Sequence, residues 1–200
     1  MNKRAGFRNT RFLGFVLIAI LVSALVSFSG CSGTPRSTPP VPSPGLTQTP
    51  HAGIPWNEMP LSDLRGRGNF SISRFGGTTV IIPILSVSCP SCIVQLRRQL
   101  DEAGRLAAEN PGKILVVTLD IDPDNGPDFL TAYGDPAAFT GYSARSPEEM
   151  TLDIFRQFGP FAVDTTTTPV IIVCPDGYDQ LLPPGLKTAE DLKRMIGREC

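Results

Sequence analysis

The chain has one histidine, His51, among 200 residues, and no second Cys-x-x-Cys to accompany Cys89-Pro90-Ser91-Cys92. A closed structural zinc site normally takes four Cys or His ligands. That set is missing, so no metal site is expected. GxGxxG, P-loop and Gly-x-Ser-x-Gly patterns are also missing, and no internal repeat appears. The N-terminal Lys3, Arg4, Arg8 and Arg11 aside, 14 Lys+Arg stand against 19 Asp+Glu, a net charge of −5. No basic stripe interrupts that acidity, which argues against nucleic acid as a partner.

The N-terminus is organised differently from the rest. Four positive charges and no acid precede Phe12–Phe28, seventeen uncharged and mostly apolar residues. Ser29-Gly30-Cys31-Ser32 follows. A positive region, an apolar region and then small residues is the layout of an export signal. The segment resembles a lipoprotein signal peptide, which implies lipidation at Cys31, although Phe28 stands where an aliphatic residue is usual. An uncleaved membrane anchor is the alternative. Either way the positive flank stays inside, and residues 32 onward face the extracytoplasmic side of the cell membrane. Residues 31–55, rich in Pro, Ser and Thr, read as a tether. Extended at about 3 Å per residue, it would reach tens of ångströms. The expected organisation is a signal or membrane segment over 1–30, a tether over 31–55 and one folded domain over 56–200.

Cys89-Pro90-Ser91-Cys92 follows an apolar run, Thr79–Leu85, and precedes the helix-like stretch Ile93–Leu106. A strand feeding Cys-x-x-Cys at a helix start is the arrangement that dithiol redox chemistry needs. The helix N-terminus favours a thiolate over a thiol. Pro90 falls near the first helical position, where a missing N–H costs nothing. A purely structural disulfide is the bland alternative, but so small a loop gains little entropy. Five cysteines are an odd number for an oxidising compartment. With Cys31 assigned to lipid, four remain, and Cys174 and Cys200 are left after the local pair. A structural disulfide between them is expected, with two free thiols as the alternative, because four cysteines allow three connectivities.

Hydrophobic periodicity supplies the frame. Pro60–Leu64 and Phe70–Phe75 suggest a lead-in and a hairpin-like strand. Thr78–Leu85, Ile114–Leu119 and Val170–Val173 read as buried strands. Ile93, Leu96, Leu100, Ala103, Leu106 and Ala107 recur at helical spacing over Cys92–Asn110, which Pro111-Gly112 closes. Short helices are expected over Asp128–Tyr133 and Pro147–Phe158, the second capped by Ser146. Pro175-Asp176-Gly177 turns into an edge strand near Gln180–Leu182. Thr188 caps a last helix, Ala189–Arg198. Strands alternating with helices predict an α/β sandwich.

Over about residues 60–200 the chain resembles the thioredoxin-like superfamily. The strand–Cys89-Pro90-Ser91-Cys92–helix unit, Thr168-Pro169 opening a buried strand, and a final helix after a hairpin carry the likeness. The resemblance implies a three-layer sandwich with a central mixed sheet flanked by helices. It also implies a cis-proline at Pro169, with Thr168 beside it in binding the partner's chain. The membrane-tethered reductases related to cytochrome maturation share the anchor and the dithiol. In that likeness Cys89 attacks a partner disulfide, Cys92 resolves the mixed disulfide, and Ser88, Pro90 and Ser91 shape the active-site loop. Ser88 replaces the tryptophan many relatives carry, and Val80–Val87 holds no buried acid to accept a proton. The topology would bring Cys174 and Cys200 together at the far pole.

Thr118–Asp124 with Phe129–Tyr133 is also similar to the SCO/SenC-like copper chaperones. Those bind copper with CxxxC and a distant histidine, where this chain has CxxC and Val163–Thr167. No cofactor is expected on the redox reading, and Cu(I) on the copper one. A peroxidase resembling the peroxiredoxins fits less well: Ser86 lies three before Cys89, but Pro83 is out of place. A tethered binding module without exchange chemistry would leave Cys89 dispensable. The expected partners are cysteine-containing exported proteins, a membrane electron donor or acceptor, and the membrane itself through an N-terminal lipid or helix.

Overall fold

The central strand of the sheet is Thr79–Leu85 (β3), and every one of its seven residues is buried. The computed structural model describes residues 53–122 and 141–200, all within the compact unit Thr49–Cys200. The signal segment, Cys31, His51, most of the tether and the expected helix over Asp128–Tyr133 lie outside the described residues.

The five-stranded sheet is ordered β5-β4-β3-β6-β7. Its other members are Ile114–Asp120 (β4), Tyr142–Arg145 (β5), Val170–Val173 (β6) and Asp179–Leu181 (β7). β3, β4 and β5 run parallel. β6 lies antiparallel to β3, with Val80 opposite Val173, and β7 antiparallel to β6. Alternation along the strands divides the core between two faces. Val80, Ile82 and Ile84 pack with Met150 and Ile154 of the helix Glu148–Phe158 (α2). Ile81 packs with Ala103 and Leu106 of Pro90–Glu109 (α1), and with Ala189 and Leu192 of Ala189–Glu199 (α3). Helices therefore cover both faces, giving the three-layer α/β sandwich.

Three details differ from the pattern-based reading. The lead-in pairs Leu61–Ser62 (β1) with Asn69–Phe70 (β2), and Ile72–Phe75 turns into a 3-10 helix instead of extending the strand. β5 was not expected; its pattern, Tyr-Ser-Ala-Arg, is too short and polar to read as a strand. Ser146 does not cap α2: Pro147 holds the cap position, and the Ser146 hydroxyl accepts from Thr151 Oγ1. Thr188 does cap α3, in a capping box with Asp191.

The β1–β2 lead-in is pinned to β5 through a buried carboxylate. Asp63 Oδ2 accepts from Arg67 Nε at 2.7 Å, and Oδ1 accepts from Ser143 N at 3.1 Å. Arg67 also donates to Gly141 O and lies 4.0 Å from the centre of the Tyr142 ring. Burial alone would raise the Asp63 pKa, but the Arg67 hydrogen bond, the Ser143 N–H and the Arg67 charge outweigh it and hold it below its ordinary value. A depressed carboxylate contributes stability above its unfolded pKa and loses it as pH falls through the folded one. Asp63→Asn is therefore expected to lower the melting temperature at pH 7, and the gap to wild type should close toward pH 3. A gap of equal size at both pH values would contradict this.

Cys174, just beyond β6, is bonded to Cys200 at the end of α3, with Cα atoms 5.3 Å apart. β6 runs against β3, so this bridge sits near the start of β3 while the dithiol follows its end. Seven residues of strand separate the two poles by about 20 Å. A bridge closing this 26-residue separation contributes about 3 kcal/mol by loop closure, worth roughly 10 °C in melting temperature. A Cys174→Ala/Cys200→Ala double variant should melt lower by that margin while keeping thiol exchange at Cys89. Equal loss of exchange, read by thiol trapping, would show that the two poles are not separate.

Candidate active site

The dithiol is built by the junction of β3 and α1. Leu85 ends the strand, Val87 is buried, and Ser88 comes to the surface. Cys89 is the N-cap of α1 and Pro90 its first residue, where no amide donor is wanted. The Cys89 carbonyl accepts from Cys92 N at 3.0 Å and Ile93 N at 3.3 Å. The two sulfurs are bonded, with Cα atoms 5.3 Å apart. Their environments differ. Cys89 is half-buried, and its Sγ lies 3.6 Å from Ser91 Oγ. Cys92 is 5 % exposed and packs among Leu85, Val87, Leu96 and Leu100. Partial charge from a twenty-residue helix falls on Cys89, which favours its thiolate once the pair is reduced. Of the two, Cys89 is the more accessible, and Cys92 is enclosed by the core.

Thr168, 1 % exposed, meets the same helix, and Pro169 beside it is also buried. Asp164 starts a 3-10 turn, Thr165–Thr167, by accepting from Thr166 N. Thr168 then takes φ 54°, ψ 58°, the left-handed region. It is the one non-glycine with positive φ among the described residues. Its hydroxyl donates to Gln95 Oε1 at 3.5 Å, and Gln95 stands one turn beyond Cys92 on α1. The Pro169 carbonyl accepts from Ile84 N at 3.0 Å, which ties the loop to the end of β3. The expected cis-proline is corrected: no peptide bond among the described residues is cis. The left-handed Thr168 makes the change of direction instead, and its carbonyl is claimed by Lys187.

Sequence reasoning missed three polar residues here. Asp122, 4 % exposed, accepts from Ser88 N at 2.8 Å and Ser86 Oγ at 3.4 Å. It fixes the loop that leads into Cys89. Its own N–H donates to Asp120 Oδ1, and burial raises the Asp120 pKa despite Arg145 at 3.8 Å. β3 holds no acid, but β4 delivers two carboxylates to the same end of the sheet. Gln99, with 0 % exposure, brackets the Lys187 backbone: Nε2 donates to Lys187 O at 3.2 Å, and Oε1 accepts from Lys187 N at 2.8 Å. Lys187, 3 % exposed, donates from Nζ to Thr168 O at 2.7 Å, and burial pushes its pKa down to about 8. The Asp120-Ile121-Asp122 pair at a strand end was the available signal for Asp122. Lys187 had none, because a lysine after Pro183-Pro184-Gly185 reads as solvated loop. Among the described residues no group of three or more His, Cys, Asp and Glu converges as a metal site would require.

No protein-family model matches this chain, and no curated protein matches its sequence. Solved structures do. A thiol:disulfide interchange protein of the thioredoxin family from Chlorobium tepidum TLS is 13% identical, with TM-score 0.52, covering 74% of this chain and 97% of its own. The exposed lipoprotein thioredoxin Etrx1 from Streptococcus pneumoniae is 15% identical, with TM-score 0.51, covering 70% and 98%. MTB dsbF, in mixed oxidised and reduced forms, is 16% identical, with TM-score 0.50, covering 74% and 98%. Sheet order, strand directions, helix placement and these neighbours agree: the chain has the thioredoxin-like α/β fold.

Proposed function

We propose that the chain is a membrane-anchored, extracytoplasmic thiol–disulfide oxidoreductase working through Cys89 and Cys92. One observation carries the reading: a half-buried sulfur at the N-cap of α1 is bonded to a buried sulfur one turn in. In the reduced chain the Cys89 thiolate attacks one sulfur of a partner disulfide. A mixed disulfide forms, and the partner's other sulfur leaves as a thiolate. The Cys92 thiolate then attacks Cys89 Sγ, which closes the internal disulfide and releases the partner's second thiolate. Two electrons pass to the partner, which takes up two protons in becoming a dithiol. The reverse sequence oxidises a partner dithiol. The loop that ends in the buried Thr168 and Pro169, and that reaches the surface at Thr166 and Thr167, takes the partner's chain. Cysteine-containing exported proteins are the substrates, and a membrane electron donor or acceptor resets the pair.

The charged and apolar pattern of residues 1–31 supports the membrane placement, with Cys31 as the lipid attachment point. No helix among the described residues is long and apolar enough to cross a membrane. A similar fold occurs in an exposed lipoprotein. No cofactor is needed for the exchange.

In the full chain, Cys89→Ser should abolish exchange with a protein disulfide, and Cys92→Ser should trap the mixed disulfide on Cys89, visible by mass spectrometry. Exchange that survives in Cys89→Ser would overturn this reading, and a wild type that exchanges no disulfide but functions equally with Cys89 replaced would favour a non-catalytic binding module. Equilibration of the pair against glutathione fixes direction. A potential near −270 mV makes the protein a reductase, and one near −120 mV a disulfide donor. A pair that does not cycle, but takes up Cu(I) in titration, would favour the copper chaperone reading.

A further inference from the structure

Lys187 is an unusual residue for its position. It is almost fully buried, yet among the described residues its ammonium meets a neutral carbonyl, Thr168 O at 2.7 Å, and not a carboxylate. Buried ammonium groups are costly unless paired or hydrogen-bonded, so a lysine in such a place calls for a reason beyond stability. Its backbone is held on both sides by Gln99, itself fully buried on α1. Cys92 and Gln99 lie on one face of that helix, about 10 Å apart along the axis. From the level of Gln99, the lysine stem runs back toward the dithiol and meets the Thr168 carbonyl. The Thr168 hydroxyl meets Gln95, one turn from Cys92.

Thr168 itself sits against its backbone preference. A β-branched residue in the left-handed region is disfavoured by its own Cβ, and the surroundings must hold it there. The Lys187 bond is the strongest tie on the Thr168 backbone, because its donor is charged. The remaining tie is Thr168 N to Thr165 O at 3.3 Å, within the preceding turn. Gly185 N donates to Thr167 O at 2.8 Å, so the loop around residue 185 clamps the preceding residue as well.

We propose that Lys187 is a positioning residue for disulfide exchange: its ammonium holds the Thr168 carbonyl, and through it the Thr168-Pro169 loop, in the conformation that receives a partner chain beside Cys89. This rests on the exchange reading above. The role is separable from the chemistry of the sulfurs. A small disulfide needs only the half-buried Cys89, whereas a protein disulfide must also fit the loop.

The test compares the full chain with its Lys187→Met variant, using oxidised glutathione as the small substrate and insulin as the protein substrate. Loss of a hydrogen bond from a charged group should raise KM for insulin about tenfold. The kcat, and the rate with oxidised glutathione, should stay near wild type. Thr168→Gly supplies the decisive background, since glycine takes a positive φ without the Cβ cost. There, adding Lys187→Met should leave KM for insulin nearly unchanged. An equal slowing of both substrates, or a KM shift as large in the glycine background, overturns the proposal. If Lys187→Met alone fails to fold, the double variant must fold and Lys187→Gln must show the same KM split; otherwise the anchor is only structural. A wild type that exchanges neither substrate defeats the exchange reading instead. The anchor is then judged by hydrogen exchange at the Thr168 amide, which Lys187→Met should accelerate and which an unchanged rate would refute.

Discussion

The site depends on β3 being buried on both faces and paired on both edges. Its seven apolar-lined positions pack against α2 on one side and against α1 and α3 on the other. β4 and β6 hydrogen-bond to its two edges. A strand so constrained has no freedom of register, because a shift by one residue would exchange its two faces. Its C-terminal end is therefore a fixed point from which the chain can launch α1. Cys89 inherits that fixed position, and Cys92 inherits the core beneath it.

Around this point the molecule separates reactivity from rigidity. The polar groups that hold the loops around the dithiol, Asp122 and Lys187, arrive from the segment just after β4 and from the loop before α3, not from the strand or helix next to the cysteines. Each grips backbone: Asp122 holds Ser88 N, and Lys187 holds Thr168 O. The loop on each side of the sulfurs is thus set by an ionisable side chain withdrawn from water, where competing solvent hydrogen bonds are removed and the interaction strengthened. The second disulfide works at the opposite end of β3. It ties the last helix to the sheet, leaving the two sulfur pairs with different surroundings and different work.

Much of this architecture was legible from local chemistry. Thr79–Leu85 shows as a buried strand because every residue after Thr79 is apolar. α1 shows through Leu96, Leu100, Ala103 and Leu106 at helical spacing, and α3 through Thr188 and Asp191. The cysteine spacing pointed to Cys89 and Cys92 as a bonded pair, since two intervening residues place both sulfurs on one helical turn. β5 was not legible. Tyr142–Arg145 is only four residues long, and its edge position comes from pairing with β4, not from any pattern of its own. Ser146 had the chemistry of a cap but is used in a hydroxyl pair with Thr151, because Pro147 takes the cap position.

Sequence alone determined which residues could do chemistry and which segments had to be buried, because side-chain type and periodicity are local properties. The tertiary structure decided which polar groups hold the loops around the dithiol. Asp122 and Lys187 lie 33 and 98 positions beyond Cys89 in the numbering, and only strand pairing and helix packing bring them to the same pole. It also decided the backbone at Thr168, where a trans proline follows a left-handed threonine. The cause is again non-local: the carbonyl of Thr168 turns toward a buried ammonium that no neighbouring residue in the chain supplies.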